Sequence, residues 1–273
     1  MTTRSSEEIE IRLLLDAIYE KFHYDFREYS PASVRRRLTQ SLSALEVTTF
    51  SALQDRILHD ATAFPTLLKY LTVQVSDFFR DPQYFRVLRE RICPILRTYP
   101  SVKIWIAGSS TGEEVYSFAI VLREEGLLDK TIIYATDINA EALHAAEGGI
   151  YPLDRLKVFS ANYQATNAPG SLSAYYTARY DSAIFDRSLR KNVVFTDHSL
   201  ATDSVFAEVQ VVSCRNVLIY FERALQDRAI ALFRDSLCMR GFLGVGIKET
   251  LRFSKHEPAF ETFAQPERWY RKW

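Results

Sequence analysis

The chain has 273 residues, 47% of them apolar, which is enough to bury a sizeable core. Lys plus Arg and Asp plus Glu number 34 each, so the formal net charge is zero and no global field draws in nucleic acid or an acidic membrane. Cys93, Cys214 and Cys238 form no zinc or disulfide pattern, and no apolar run approaches the roughly 20 residues of a membrane span, so a cytoplasmic protein without membrane insertion is expected.

Ser5 and Glu8 have capping-box spacing, and Ile11, Leu14, Leu15, Ile18 and Phe22 then share one helical face. Ser30-Pro31 reads as an N-cap with proline at the first helical position, followed by Val34, Leu38 and Leu45 on one face and Arg35, Arg36 and Arg37 beside them. Asp81-Pro82 repeats the cap signal before Tyr84, Phe85, Leu88 and Ile92. Residues 1–96 therefore read as a helical domain ending in a long linker helix.

All nine glycines lie beyond Ser101, where the pattern changes. Strands are predicted at Val102–Ala107, Thr131–Thr136, Asn192–Phe195, Val209–Ser213, Phe242–Gly246 and Arg268–Trp273, with helices after Gly112, at Ala140–Glu147 and at Glu222–Cys238. Strand and helix alternate, which implies a doubly wound, mostly parallel sheet over residues 97–273. The Tyr-rich, polar stretch Ser171–Arg190 breaks the rhythm and reads as a small antiparallel insertion.

Ligands of such sheets bind beyond the C-terminal strand ends. Two features fall there: the loop Ala107-Gly-Ser-Ser-Thr-Gly-Glu-Glu114, and Asp137 at the end of the second strand. The loop lacks the dinucleotide fingerprint, and Glu113 and Glu114 at the helix start repel phosphate. They suit a cationic ligand such as the amino group and sulfonium of S-adenosylmethionine, or they merely complement the helix dipole. A carboxylate at position 137 can accept from both ribose hydroxyls, or it can cap the next helix. His23, His59, His144, His198 and His256 show no metal-binding spacing.

Four stretches together resemble the chemotaxis receptor methyltransferases, the CheR family. They are Thr72-Val-Gln-Val-Ser-Asp-Phe-Phe-Arg-Asp-Pro82, Gly108-Ser-Ser-Thr-Gly-Glu-Glu-Val-Tyr-Ser117, Ala135-Thr-Asp-Ile-Asn-Ala-Glu-Ala-Leu143 and Ser213-Cys-Arg-Asn-Val-Leu-Ile-Tyr-Phe221. The resemblance implies an N-terminal all-α domain and a seven-stranded methyltransferase sheet carrying a small inserted β-subdomain. It implies S-adenosylmethionine as methyl donor, S-adenosylhomocysteine as product, and glutamate carboxylates on chemoreceptor cytoplasmic helices as acceptors, with a monomeric enzyme.

Carried over by position, Arg80 and Tyr220 resemble the pair near the transferred methyl. Gly108, Glu114 and Asp137 resemble cofactor contacts, and Arg215 and Asn216 follow the fourth strand and close the pocket. Gln74 and Ser76 stand where the family commonly has Asn and Thr, and Ser199-Leu200 where an Asn-Leu pair near the adenine is usual. The basic stretch Arg35–Arg37 reads from its residues as a solvated face, and the resemblance implies that it meets the acidic receptor helices. Gly246-Ile-Lys-Glu249 replaces a familiar Gly-His-Ser-Glu. From the residues alone, Arg80 could instead pair with Asp77 or Asp81, and Tyr220 could be a core residue. Cys214 follows Ser213 rather than the proline expected beside a cytosine-attacking cysteine, and Cys-Arg-Asn-Val is unlike the Asn/Asp-Pro-Pro-Tyr of base amino-methylases.

Overall fold

The computed structural model describes residues 5–273, which divide into two units. The first comprises residues up to Val73 with Ser199–Asp203 and Tyr220–Ala229; the second comprises Gln74–His198, Ser204–Ile219 and Ile230–Trp273.

In the first unit, α1 (Ser6–Phe22) opens on the expected capping box. Glu8 N–H donates to Ser5 Oγ at 3.3 Å, and Ser5 N–H donates to Glu8 Oε2 at 2.9 Å. Helix α2 (Pro31–Ala44) begins on its proline, but the Ser30 side chain makes no cap bond. The Ser30 N–H donates instead to the Tyr220 carbonyl at 2.8 Å. Helices α3 (Phe50–His59) and α4 (Ala63–Leu71) complete the bundle, with α1 against α3 and α2 against α4. Their buried stripes, Leu14, Leu15 and Ile18 on α1 and Phe64, Leu67, Leu68 and Leu71 on α4, follow helical periodicity. A return segment joins them: Phe221 bridges Tyr29 antiparallel, with ring centroids 4.8 Å apart.

The second unit starts with a continuous helical run of α5 (Pro82–Val87), a π turn (Leu88–Ile92) and α6 (Cys93–Leu96). Pro94 has no N–H to give the run, which accounts for the wider turn before it. Tyr84, Phe85, Leu88, Ile92, Cys93 and Leu96 pack into the sheet's core, so the units divide at Val73/Gln74 rather than after residue 96.

Five parallel strands follow, with helices between all but β6 and β7: β1 (Val102–Ala107), β2 (Thr131–Asp137), β6 (Val193–Asp197), β7 (Val209–Cys214) and β8 (Leu237–Val245). With β9 (Phe260–Ala264) and β10 (Trp269–Lys272) they form one sheet, ordered β6-β2-β1-β7-β8-β10-β9, in which β10 runs antiparallel to both neighbours. Helices α7 (Glu113–Glu124), α8 (Ala140–Gly148), α9 (Leu156–Gln164) and α10 (Arg223–Ser236) complete the set. The expected insertion is a three-stranded antiparallel sheet of β3 (Ile150–Pro152), β5 (Ser182–Phe185) and β4 (Tyr176–Arg179), so it recruits a strand from well before Ser171. Phe78 stacks on Phe185 at 4.5 Å, and Phe79 meets Phe85 and Tyr163, so this aromatic pair anchors its segment beneath the insertion. Among the described residues no helix is long and apolar enough to cross a membrane.

Candidate active site

The loop between β1 and α7 carries three residues in the left-handed region: Gly108 at φ 72°, Ser110 at 49° and Gly112 at 91°. A Cβ on Gly108 would lie 2.4 Å from Val217 Cγ2, so only glycine allows both the turn and this close approach. The N–H groups of Gly108 and Ser109 donate to the Thr136 carbonyl at 2.8 and 2.9 Å, tying the loop to the end of β2. Ser110 N–H donates to Asp137 Oδ2 at 2.8 Å, and its hydroxyl donates to Gln74 Oε1 at 2.9 Å. Gln74, Gly108 and Asp137 thus form one cluster. Ser109 Oγ is buried there without a partner among the described residues.

Asp137 does not cap α8. Asn139 does, accepting from Glu141 and Ala142 at 3.0 and 3.2 Å, while its own N–H donates to Asp137 Oδ1 at 2.9 Å. Burial pushes the Asp137 carboxyl above its usual range, opposed by these backbone donors. Its two oxygens take the N–H groups of Ser110 and Asn139, with that of Ile138 also directed at the carboxylate, and of roughly four lone-pair sites this leaves capacity for a further donor.

Glu114, at the start of α7, accepts from the Ser213 hydroxyl at 2.6 Å and from Arg215 Nη1 at 2.9 Å. Since the Ser213 hydrogen goes to Glu114, Ser213 Oγ in turn accepts from the Tyr84 hydroxyl at 2.7 Å. The Arg215 guanidinium lies 4.1 Å from the Tyr84 ring centroid, and its Nη2 donates to Asp81 Oδ2 at 2.8 Å and to the Arg80 carbonyl at 2.7 Å. Asp81 was expected to cap α5. Its backbone is left-handed, φ 57°, its side chain makes no cap bond, and its carboxylate serves Arg215 instead. Two carboxylates flank one guanidinium, which leaves one negative charge in excess beside the Gly108–Gly112 loop.

Arg80 sits between two left-handed non-glycine residues, Phe79 at φ 52° and Asp81 at 57°. Phe79 N–H donates to Ser117 Oγ at 2.9 Å. Neither candidate surface partner takes the Arg80 side chain, since Asp77 pairs with Arg155 at 2.6 Å and Asp81 with Arg215. The half-buried Arg80 guanidinium makes no hydrogen bond or ion pair among the described residues. Ser76 is fixed through its carbonyl, which accepts from Arg155 at 2.6 Å. Asn216, left-handed at φ 61°, donates its N–H to Glu249 Oε2 at 2.9 Å.

The remaining expected residues fall in the first unit. Ser199 N–H donates to Asp203 Oδ2 at 2.9 Å, its hydroxyl accepts from Ala201, and Leu200 is buried. Tyr220 lies under the Arg37 guanidinium, 4.3 Å from its ring centroid. The three arginines do not form one solvated face. Arg35 is exposed and pairs with Glu7 at 2.6 Å, and Arg36 is exposed. Arg37 is buried and donates to the Leu71 carbonyl. The cause is periodicity: Val34, Arg37, Leu38 and Ser41 share the buried stripe of α2. Sequence reasoning also missed Asp81, Tyr84 and Ser213 as partners in the Arg215 network, because cap and core readings accounted for them locally.

A family model described as "CheR methyltransferase, SAM binding domain" matches residues 74–268, and one described as "CheR methyltransferase, all-alpha domain" matches residues 9–72. A "Putative methyltransferase Cher3" of Pseudomonas putida is 56% identical over 272 residues, covering 100% of both chains. "Chemotaxis protein methyltransferase 2" of Pseudomonas aeruginosa is 28% identical over 88% of this chain and 86% of its own. The "Chemotaxis protein methyltransferase" of Salmonella typhimurium is 28% identical over 87% and 82%.

Proposed function

The chain belongs to the CheR methyltransferase family, and from that premise we propose that this S-adenosylmethionine-dependent methyltransferase modifies glutamate side chains on the cytoplasmic helices of chemoreceptors, in chemotactic signalling. The residues around Gly108 fit the cofactor: Ser109 Oγ lacks a partner among the described residues, Asp137 retains acceptor capacity, and the Glu114–Arg215–Asp81 group is net negative. When bound, S-adenosylmethionine supplies a methyl group already activated by the sulfonium charge. Asp137 is read as the acceptor for the ribose hydroxyls. Glu114, with Ser76 and Ser199-Leu200 in the places the resemblance gives them, completes the cofactor contacts.

A glutamate carboxylate, with a pKa of about 4.3, is ionised at neutral pH and needs no general base. The protein's task is alignment and exclusion of water. The observation that carries the glutamate reading is Arg80, a cation without a partner among the described residues on a backbone clamped at Phe79 and Asp81. Its guanidinium can hold a carboxylate by two parallel charge-assisted bonds. Tyr220 is assigned to the transfer step by resemblance, and Arg36 to receptor contact. The test is transfer of radiolabelled methyl to purified receptor, followed by mapping of the modified residues. Labelled glutamates are expected. Label on another residue type overturns the acceptor, and cofactor binding without transfer to any receptor leaves a cofactor-binding scaffold.

A further inference from the structure

Glu249 follows β8 and is only 4% exposed, yet no cation pairs with it among the described residues. Its charge is met by the backbone. Oε2 accepts from Gly246 N–H at 2.6 Å and Asn216 N–H at 2.9 Å, and Oε1 accepts from Ile219 N–H at 3.3 Å. Gly246 is required for the approach, since a Cβ there would lie 2.7 Å from Glu249 Oε2. The arrangement is an anion-binding nest of peptide N–H groups whose anion is supplied by the chain itself.

The nest is built from the turn after β7, in which Asn216 is left-handed at φ 61°. The next residue, Val217, fills the space where Gly108 lacks a side chain. Gly108 opens the loop whose Ser109 and Ser110 amides reach Thr136 and Asp137. A continuous set of contacts therefore runs from Glu249 through Asn216 and Val217 to the cofactor loop, all within the second unit.

We propose that Glu249, as an anion, is a positioning residue for the cofactor site: it holds the Asn216–Ile219 turn so that Val217 backs the Gly108 loop. The role rests on the cofactor reading and is independent of which acceptor is methylated. Burial pushes the Glu249 carboxyl upward, opposed by the donors of Asn216, Gly246, Ile219 and Val217. The titratable group beside it is the buried Cys214 thiol, itself pushed well up by burial and by Glu249.

The test is calorimetric titration with S-adenosylhomocysteine, which needs no acceptor. Glu249→Gln keeps the shape but turns an amide NH2 toward peptide donors, and its Kd is expected to rise about tenfold. Glu249→Ala opens a space that formate or acetate is expected to fill, restoring affinity where acetamide does not. Kd within twofold of wild type for Glu249→Gln, or equal rescue by acetamide, overturns the proposal. Should neither variant fold, amide hydrogen exchange on the wild type decides. Added S-adenosylhomocysteine is expected to slow exchange across residues 216–219, and unchanged exchange overturns the coupling. If the wild type itself gives no heat with S-adenosylhomocysteine, the cofactor reading fails instead.

Discussion

Replacing Asp137 with alanine is expected to act on stability and on cofactor affinity by separable amounts. The carboxylate takes the N–H of Ser110 on one oxygen and that of Asn139 on the other. Alanine leaves both donors without that acceptor. At about 1–3 kcal/mol for each unsatisfied buried group, the loss is about 2–6 kcal/mol, less whatever is regained by no longer burying a charge. For a chain of this size 1 kcal/mol shifts Tm by roughly 2–4 °C, so a net loss of about 2 kcal/mol in Asp137→Ala is expected to lower it by about 4–8 °C. Losing the ribose acceptor adds an affinity loss of at least about 1.5 kcal/mol, slightly more than tenfold in Kd. Scanning calorimetry of the free protein reads the first quantity, and titration with S-adenosylhomocysteine well below Tm reads the second. A lower Tm with unchanged Kd makes Asp137 a loop tie only. Unchanged values of both refute the reasoning about its bonds as well as its ligand.

Arg80→Ala is expected to lower kcat about a hundredfold and, since none of the described residues bonds its side chain, to change stability by less than about 0.5 kcal/mol. Arg80→Lys should rescue little, because an ammonium lacks the planar fork, and normal turnover in both variants removes Arg80 from the transfer step. Arg36→Glu is expected to raise KM for receptor at low salt and leave S-adenosylhomocysteine affinity alone, whereas Arg37→Glu should lower Tm because that position is buried. Gly108→Ala should weaken S-adenosylhomocysteine binding, since its Cβ meets Val217 and its φ of 72° resists a side chain; wild-type affinity would mean the loop yields at no cost. The pH dependence of Glu249 has a definite sign. Burial raises its folded pKa, so its contribution to stability is greatest at acid pH and is lost as pH rises through that raised value. The Tm of Glu249→Gln relative to wild type is therefore expected to improve from about pH 4 toward neutrality, and a parallel pair of curves contradicts it.

The fold was legible where local signals and tertiary packing agreed. The Ser5–Glu8 box, the run Val102–Ala107 and the glycine loop after it needed only periodicity and turn chemistry. Strand β9, Phe260–Ala264, is set off by Pro258 and Pro266, but its five residues do not alternate cleanly between apolar and polar, and β8 starts at Leu237, before Gly241. The linker helix was read with the helices before it because sequence shows which face is apolar, not which core receives it. At the site, the carboxylates and Arg215 were visible as residue types, but their partners were not. Asp81 looked like a cap, and neither its left-handed backbone nor its pairing with Arg215, 134 positions away, follows from its neighbours in sequence. Arg37 fell in a charged triplet, and only the stripe it shares with Val34, Leu38 and Ser41 turns it inward.

The left-handed pair around Arg80 also limits how the sequence can drift. A strained backbone position is usually relieved by glycine. At Phe79 that route is closed, because the ring is fully buried and its removal would cost about 3–5 kcal/mol. At Asp81 it is closed as well, because glycine would strip Arg215 of a carboxylate and leave a buried charge underpaired. A library selected only for folding, with no demand for catalysis, should therefore retain Phe79 and Asp81 while letting Arg80 vary. Retention at the two flanking positions would then report on the mould rather than on the chemistry, and the freedom of the residue between them would show how little the fold itself asks of the arginine it presents.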